Sequence, residues 1–131
     1  MDKILVVDDD RTIGEMLKFM LGSKGYLAVI SNRPEQTAHN IVSGAIDLVI
    51  LDQFMFGASG MEVCRELRKN EATAHVPILM MSAQTEVKKK CLRAGATDFI
   101  SKPFEMKDLL SKIEAMLRQT GYNHEPFKIS K

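Results

Sequence analysis

The 131-residue sequence predicts a single α/β domain, a doubly wound five-stranded parallel sheet covered by five helices. Three observations lead there. Five short apolar runs, rich in β-branched residues, alternate with segments of helical spacing. The runs lack polar alternation, which implies strands covered on both faces. The chain is long enough to bury one core and too short for two.

Each element follows from its own residues. The strands are read at ILVV (4–7), LAVI (27–30), LVIL (48–51), PILMM (77–81) and TDFI (97–100). Between the first two, Ile13, Met16, Leu17, Met20 and Leu21 recur at helical spacing, and the helix is expected to end near Gly22 or Gly25. Weaker stripes follow at Ala38, Ile41 and Val42, at Met61, Cys64 and Leu67, and at Val87, Cys91 and Ala94. Met106, Leu109, Leu110, Ile113, Met116 and Leu117 make the last helix. The methionines at these positions read as core packing, and Cys64 and Cys91 as small buried thiols kept reduced.

Composition narrows the function. A net charge of +1 argues against bulk electrostatic binding of nucleic acid. No apolar run is long enough to span a bilayer, and the acids of MDKILVVDDD do not suit a signal peptide, so a cytoplasmic protein is expected. His39, His75 and His124 share no metal spacing and receive no role.

The polar residues of interest begin where the apolar runs stop. In an open parallel sheet, ligands bind beyond the carboxyl ends of the strands. Asp8 and Asp9 follow the first run, Asp52 the third, Ser82 the fourth and Lys102 the fifth, so all are expected to face one crevice. Clustered carboxylates disfavour one another's ionised forms, and a hard divalent cation relieves that conflict. Magnesium suits such a set, which a backbone carbonyl from the loop after Asp52 would complete. A lysine opposite is suited to pair with Asp52 or with a phosphoryl group on it. The ensemble is one arranged to place a phosphoryl group on a carboxylate.

The motifs form an ordered set. They are the acid pair after LVV, LDQFM with Gly60 eight positions beyond Asp52, MSA with Ser82 thirty positions beyond Asp52, and SKPF with Lys102 twenty beyond Ser82. In these the chain resembles, over roughly residues 2–119, the receiver domain of two-component response regulators, of the chemotaxis-regulator kind. The resemblance implies a flavodoxin-like sheet of strand order 2-1-3-4-5, with 1–119 as receiver and 120–131 as a tail or the start of a linker. It implies Asp52 as phosphoacceptor, taking its phosphoryl group from a sensor histidine kinase or phosphotransfer protein. Asp9, Asp52 and the Phe54 backbone carbonyl would then hold magnesium or manganese directly, with Asp8 acting mainly through water. Lys102 and Ser82 would contact the phosphoryl oxygens. Movement of Ser82 would let Phe99 turn inward and rearrange the face of helix four, strand five and helix five, roughly 86–118.

Such a protein is a signalling phosphoacceptor and not an enzyme, catalysing only its own phosphorylation and dephosphorylation. Its implied partners are the kinase or phosphotransfer protein and a downstream effector protein or effector domain. A phosphorylation-dependent dimer is also compatible, whereas direct contact with nucleic acid or membrane is not expected.

Several positions carry two readings or depart from the family pattern. Asp10 reads as a helix cap or as a peripheral part of the metal site. Phe99 reads as core filling or as the switch, and Ser82 as a turn hydroxyl or a phosphoryl contact. Lys88, Lys89 and Lys90 read as a solvated face or as a docking surface for an acidic partner. Phe56 stands where receivers often have proline, and Ser82 where threonine is more frequent. Phe54 and Gln84 flank the approach to the phosphoryl group, and bulk at Phe54 is expected to lengthen its lifetime. Pro103 makes a cis bond after Lys102 inexpensive, and the family usually has one.

Three rival functions are weaker. A flavodoxin-like electron carrier needs a Ser/Thr/Gly-rich phosphate loop where this chain has acids. A phosphatase working through an aspartyl-phosphate would use Asp8, after the first strand. A receiver-like module serving only for interaction would not need the full set of acids, hydroxyl and lysine.

Overall fold

The computed structural model describes residues 1–55 and 57–123, and side chains up to residue 119. Five parallel strands form one sheet: β1 (Lys3–Val7), β2 (Leu27–Ser31), β3 (Leu48–Asp52), β4 (Ile78–Ser82) and β5 (Asp98–Ser101). Across the sheet they run β2-β1-β3-β4-β5, as expected. The five helices are α1 (Arg11–Ser23), α2 (Thr37–Gly44), α3 (Gly60–Lys69), α4 (Lys88–Arg93) and α5 (Met106–Asn123). A short antiparallel ladder, Phe54–Met55 with Ala58–Ser59, leads into α3.

Two apolar layers hold the sheet between the helices. Ile4, Val6, Leu48, Ile50, Leu79, Met81 and Ile100 pack with Leu17 and Leu21 of α1 and Leu109, Ile113 and Met116 of α5. Leu5, Val7, Val49, Leu51, Ile78, Met80 and Phe99 pack on the other face with Ile41, Cys64, Leu67 and Cys91. Each fully covered aliphatic side chain contributes about 1.5–3 kcal/mol relative to exposure, so these layers dominate stability. Both cysteines are free and buried, as their apolar surroundings require.

Four strands run one residue beyond their apolar run, to Ser31, Asp52, Ser82 and Ser101. The ladder is made by the main chain, so Val7 still pairs with Ser31, Asp52 with Met81 and Ser82 with Ser101. The sheet therefore delivers its polar residues to the crevice from laddered, rigid positions.

Some expectations need correction. Burial on both faces holds for β3 and β4 but fails for β2, where Leu27 and Val29 are exposed. β2 is an edge strand, and its layer on that side ends near α2. Val42 and Met16 also face outward, because the buried faces of α2 and α1 centre on Ile41 and on Gly14, Leu17 and Leu21. α4 is shorter than its stripe, since Thr85–Val87 forms a separate 3-10 turn. α5 runs to Asn123. The remaining tail, 124–131 with His124, and the expectation at Phe56 lie outside the described residues.

At the end of the sheet away from the crevice, Arg68 of α3 joins several segments. It donates to the carbonyls of Gly95 (2.8 Å), Val76 (2.6 Å) and Ala74 (3.1 Å), and to Thr97 Oγ1 (3.3 Å). These partners sit just before β4 and β5, so the clasp sets where both strands begin.

Candidate functional site

β1 ends in Val7, and the chain turns at Asp8, whose amide still donates to Ser31 O of β2 (3.1 Å). Asp8 is buried; its Oδ1 accepts from Asp10 N (2.8 Å), while its Oδ2 has no hydrogen-bond partner among the described residues. Asp9 next to it is exposed. Asp10 accepts from Thr12 N (3.0 Å) and Ile13 N (3.3 Å), so it caps α1. Asp52, the last residue of β3, is 5 % exposed. Carboxylate oxygens of Asp8, Asp9 and Asp52 lie within 4.8 Å of one another.

Lys102 closes the group from β5. Its amide donates to Ser82 O (2.9 Å), the Lys102–Pro103 peptide is cis, and its Nζ donates to Asp52 Oδ1 at 2.9 Å. The same Nζ lies 3.7 Å from Asp8 Oδ2, an ion pair without a hydrogen bond. The structure thus brings Asp8, Asp9, Asp52 and Lys102 together. Ser82, although buried at the end of β4, keeps its Oγ in its own turn, accepting from Gln84 N (3.0 Å). Phe99 is buried in the core layer of α3 and α4, and the Phe54 side chain is 58 % exposed.

Burial raises the pKa of Asp52 above its ordinary value; the Lys102 hydrogen bond opposes this and the charge of Asp8 adds to it. Burial likewise raises Asp8, against the Asp10 amide bond and Lys102, with Asp9 adding to the rise. The two buried carboxylates, Asp8 and Asp52, share the ammonium of Lys102. A buried carboxylate oxygen with no hydrogen bond, beside two more carboxylates, fits a hard divalent cation that takes oxygen ligands.

The same conflict sets a pH dependence. Between 3.8, the ordinary carboxyl value, and the raised values, the folded state binds more protons than the unfolded state. Stability from these two groups therefore falls as pH rises through that window, and the deficit is complete above it. Asp8→Asn keeps an acceptor for Asp10 N and removes one buried charge. In chelator at pH 7 it is expected to stabilise the protein by about 0.5–2 kcal/mol, a gain that shrinks toward pH 4. Urea unfolding with and without magnesium checks this, and an unchanged or lower midpoint in chelator would contradict it.

Residues 4–114 match the family model described as the response regulator receiver domain. The chain belongs to that family. Receiver domains are signalling phosphoacceptors, and the family binds magnesium at an acidic pocket such as this cluster. Among relatives, this receiver is 38 % identical over 120 residues to the phosphate regulon transcriptional regulatory protein PhoB of Pseudomonas aeruginosa, covering 90 % of this chain and 52 % of that protein. The chain spans about half the length of the curated relatives it matches.

Among solved structures, it resembles chemotaxis protein CheY4 of Vibrio cholerae, with 28 % identity and TM-score 0.82, over 88 % of this chain and 98 % of that one. It also resembles the receiver domain of sensor histidine kinase PA1611 from Pseudomonas aeruginosa, with 25 % identity and TM-score 0.80, over 88 % and 97 %. That structure holds a magnesium ion coordinated in its active site cleft.

Gln53 was not marked by the motifs. It is buried beside Asp52, and its Oε1 accepts from Met61 N (3.1 Å) at the start of α3. Ser59 and Glu62 spell a capping box, yet Ser59 makes no side-chain cap bond. The available signal was a second polar residue, just after the acid that ends an apolar strand.

Proposed function

We propose that this receiver accepts a phosphoryl group on Asp52 from a phosphohistidine of a sensor histidine kinase or phosphotransfer protein, in a magnesium-dependent reaction. The observation that carries this is Asp52 at the end of the central strand, held 2.9 Å from Lys102 Nζ and clustered with Asp8 and Asp9. Asp8, Asp9, Asp52 and the Phe54 carbonyl would hold magnesium or manganese. The ion would neutralise charge on the phosphoryl oxygens.

The protein's own groups do the rest. An Asp52 carboxylate oxygen forms the new bond to phosphorus as the bond to the donor imidazole nitrogen breaks, and the electron pair leaves with the imidazole. Lys102 then shifts its hydrogen bond from Asp52 to a phosphoryl oxygen. Ser82 Oγ serves as acceptor for Gln84 N, so its proton is free of that bond and can be donated to the phosphoryl group.

Drawn toward the phosphoryl group, Ser82 would pull its loop and bias Phe99 and the α4–β5–α5 face toward a second arrangement. That face would then control an effector protein, an effector domain in the same protein or a phosphorylation-dependent dimer. Lys88, Lys89 and Lys90 are exposed on it and available to an acidic partner. The donor would dock beside the crevice, where Met16 is exposed at a cavity of about 340 Å³ lined also by Ile13, Ala83, Lys102, Pro103 and Phe104. We place the receiver at 1–119, continuing into a tail or linker. No helix among the described residues is long and apolar enough to cross a membrane, which suits a cytoplasmic site of action.

The test is incubation of the full chain with acetyl phosphate and magnesium, followed by intact mass and peptide mapping. One hydroxylamine-labile phosphoryl group on Asp52 is expected, and none in chelator. A stable adduct elsewhere, or no adduct, would overturn the reading. Phe54 adds a kinetic prediction, since its bulk at the crevice mouth obstructs the hydrolytic water. The purified phosphoprotein should persist far beyond seconds, and Phe54→Asn should shorten its lifetime about tenfold or more by giving that water a polar contact.

A further inference from the structure

The residue after the phosphoacceptor is fixed from three directions. Gln53 N donates to Met81 O of β4 (2.8 Å), Gln53 O accepts from Gly60 N (2.9 Å), and Gln53 Oε1 accepts from Met61 N (3.1 Å). The side-chain bond does what the α3 N-cap residue Ser59 leaves undone, satisfying an amide of the first turn from the far side of the loop. Gly60 brings the helix against this segment; a Cβ there would press on the Asp52 carbonyl oxygen and lie 2.9 Å from Gln53 Cα. Gln53 is 3 % exposed, so water does not compete for its amide oxygen.

We infer that Gln53 is a positioning residue of the site: by capping α3 it fixes the Phe54 peptide relative to the Asp52 carboxylate. This rests on the reading of the acidic cluster as a magnesium site that includes the Phe54 carbonyl. Gln53 itself contacts neither metal nor phosphoryl group. It acts through the main chain on both sides, as groups behind a metal ligand do. The side chain links the short loop to α3 and needs an acceptor, which an apolar residue of the same length lacks.

The test uses the full chain with Gln53→Met, which removes the acceptor, Gln53→Glu, which keeps it, and Met61→Pro. The last removes the donor amide in the first turn, where the amide has no partner within the helix. Magnesium affinity is measured by calorimetry, and phosphorylation by acetyl phosphate is followed at saturating magnesium. Gln53→Met and Met61→Pro should each weaken magnesium about 10- to 100-fold. Combining them should add little, because they break one bond. The rate at saturating magnesium should stay within about threefold of wild type, and Gln53→Glu should retain affinity.

Folded variants with wild-type affinity would leave Gln53 a purely structural cap and overturn the inference. So would a Gln53→Glu protein as weak as Gln53→Met. If Gln53→Met does not fold, Met61→Pro and Gln53→Glu decide. If wild type binds no magnesium, the metal reading itself fails and this inference falls with it.

Discussion

An Asp52→Asn protein is expected to gain no labile phosphoryl group under conditions that fully modify the wild type. An amide oxygen is a far weaker nucleophile than a carboxylate, so the loss should be on the order of 10⁴-fold or more. Asp8 is not placed to substitute. Asp8 is tied to the Asp10 amide by one oxygen, and its other oxygen is 3.7 Å from Lys102 Nζ where Asp52 is at 2.9 Å. The substitution also removes a buried charge whose pKa burial has raised, so the metal-free variant should not lose stability. Its stabilisation by added magnesium should shrink, because one carboxylate ligand is gone. Intact mass and urea midpoints in chelator and in magnesium read both effects. Wild-type phosphorylation of this variant would end the assignment of Asp52.

The second large effect is expected at Gly60. Its α-carbon hydrogens face the segment that carries Asp52, and an added methyl would meet the Asp52 carbonyl oxygen, Gln53 Cα and, at 3.0 Å, Met80 Sδ. Two of these are backbone and cannot swing away. Gly60→Ala is therefore expected to cost about 2–4 kcal/mol and to shift α3 away from the loop. A displacement of that kind should slow phosphorylation by about 100-fold even in the folded fraction. Gly57→Ala is the control. Gly57 has φ +71 with open space around it, so the change strains one turn by about 1 kcal/mol and leaves the helix where it is. Equal effects at the two glycines would remove the close approach as the cause.

The fold was readable because buried strands and amphipathic helices leave plain periodicities in apolar residues. Four of the five strands end on a polar residue that the apolar criterion left out, and those positions include Asp52 and Ser82. β2 departs from its expectation for a related reason. LAVI looks like any interior run, and only strand order shows that it lies at an edge with Leu27 and Val29 outside. The acids and the lysine were legible because their spacing follows the strands that carry them. The state of Ser82 was not, since its bond to Gln84 N is a matter of local backbone geometry. Gln53 escaped for a third reason: its partner, the Met61 amide, belongs to the main chain and has no sequence signature.

The Arg68 clasp gives the molecule a fixed end. It grips neutral carbonyls and a hydroxyl, so added salt has little charge pairing to screen there. With the starts of β4 and β5 anchored in this way, a pull applied at Ser82 and Lys102 acts on the two paired strand ends that lie farthest from the grip of Arg68. Displacement should then grow along β5 toward the crevice and be least beside Thr97.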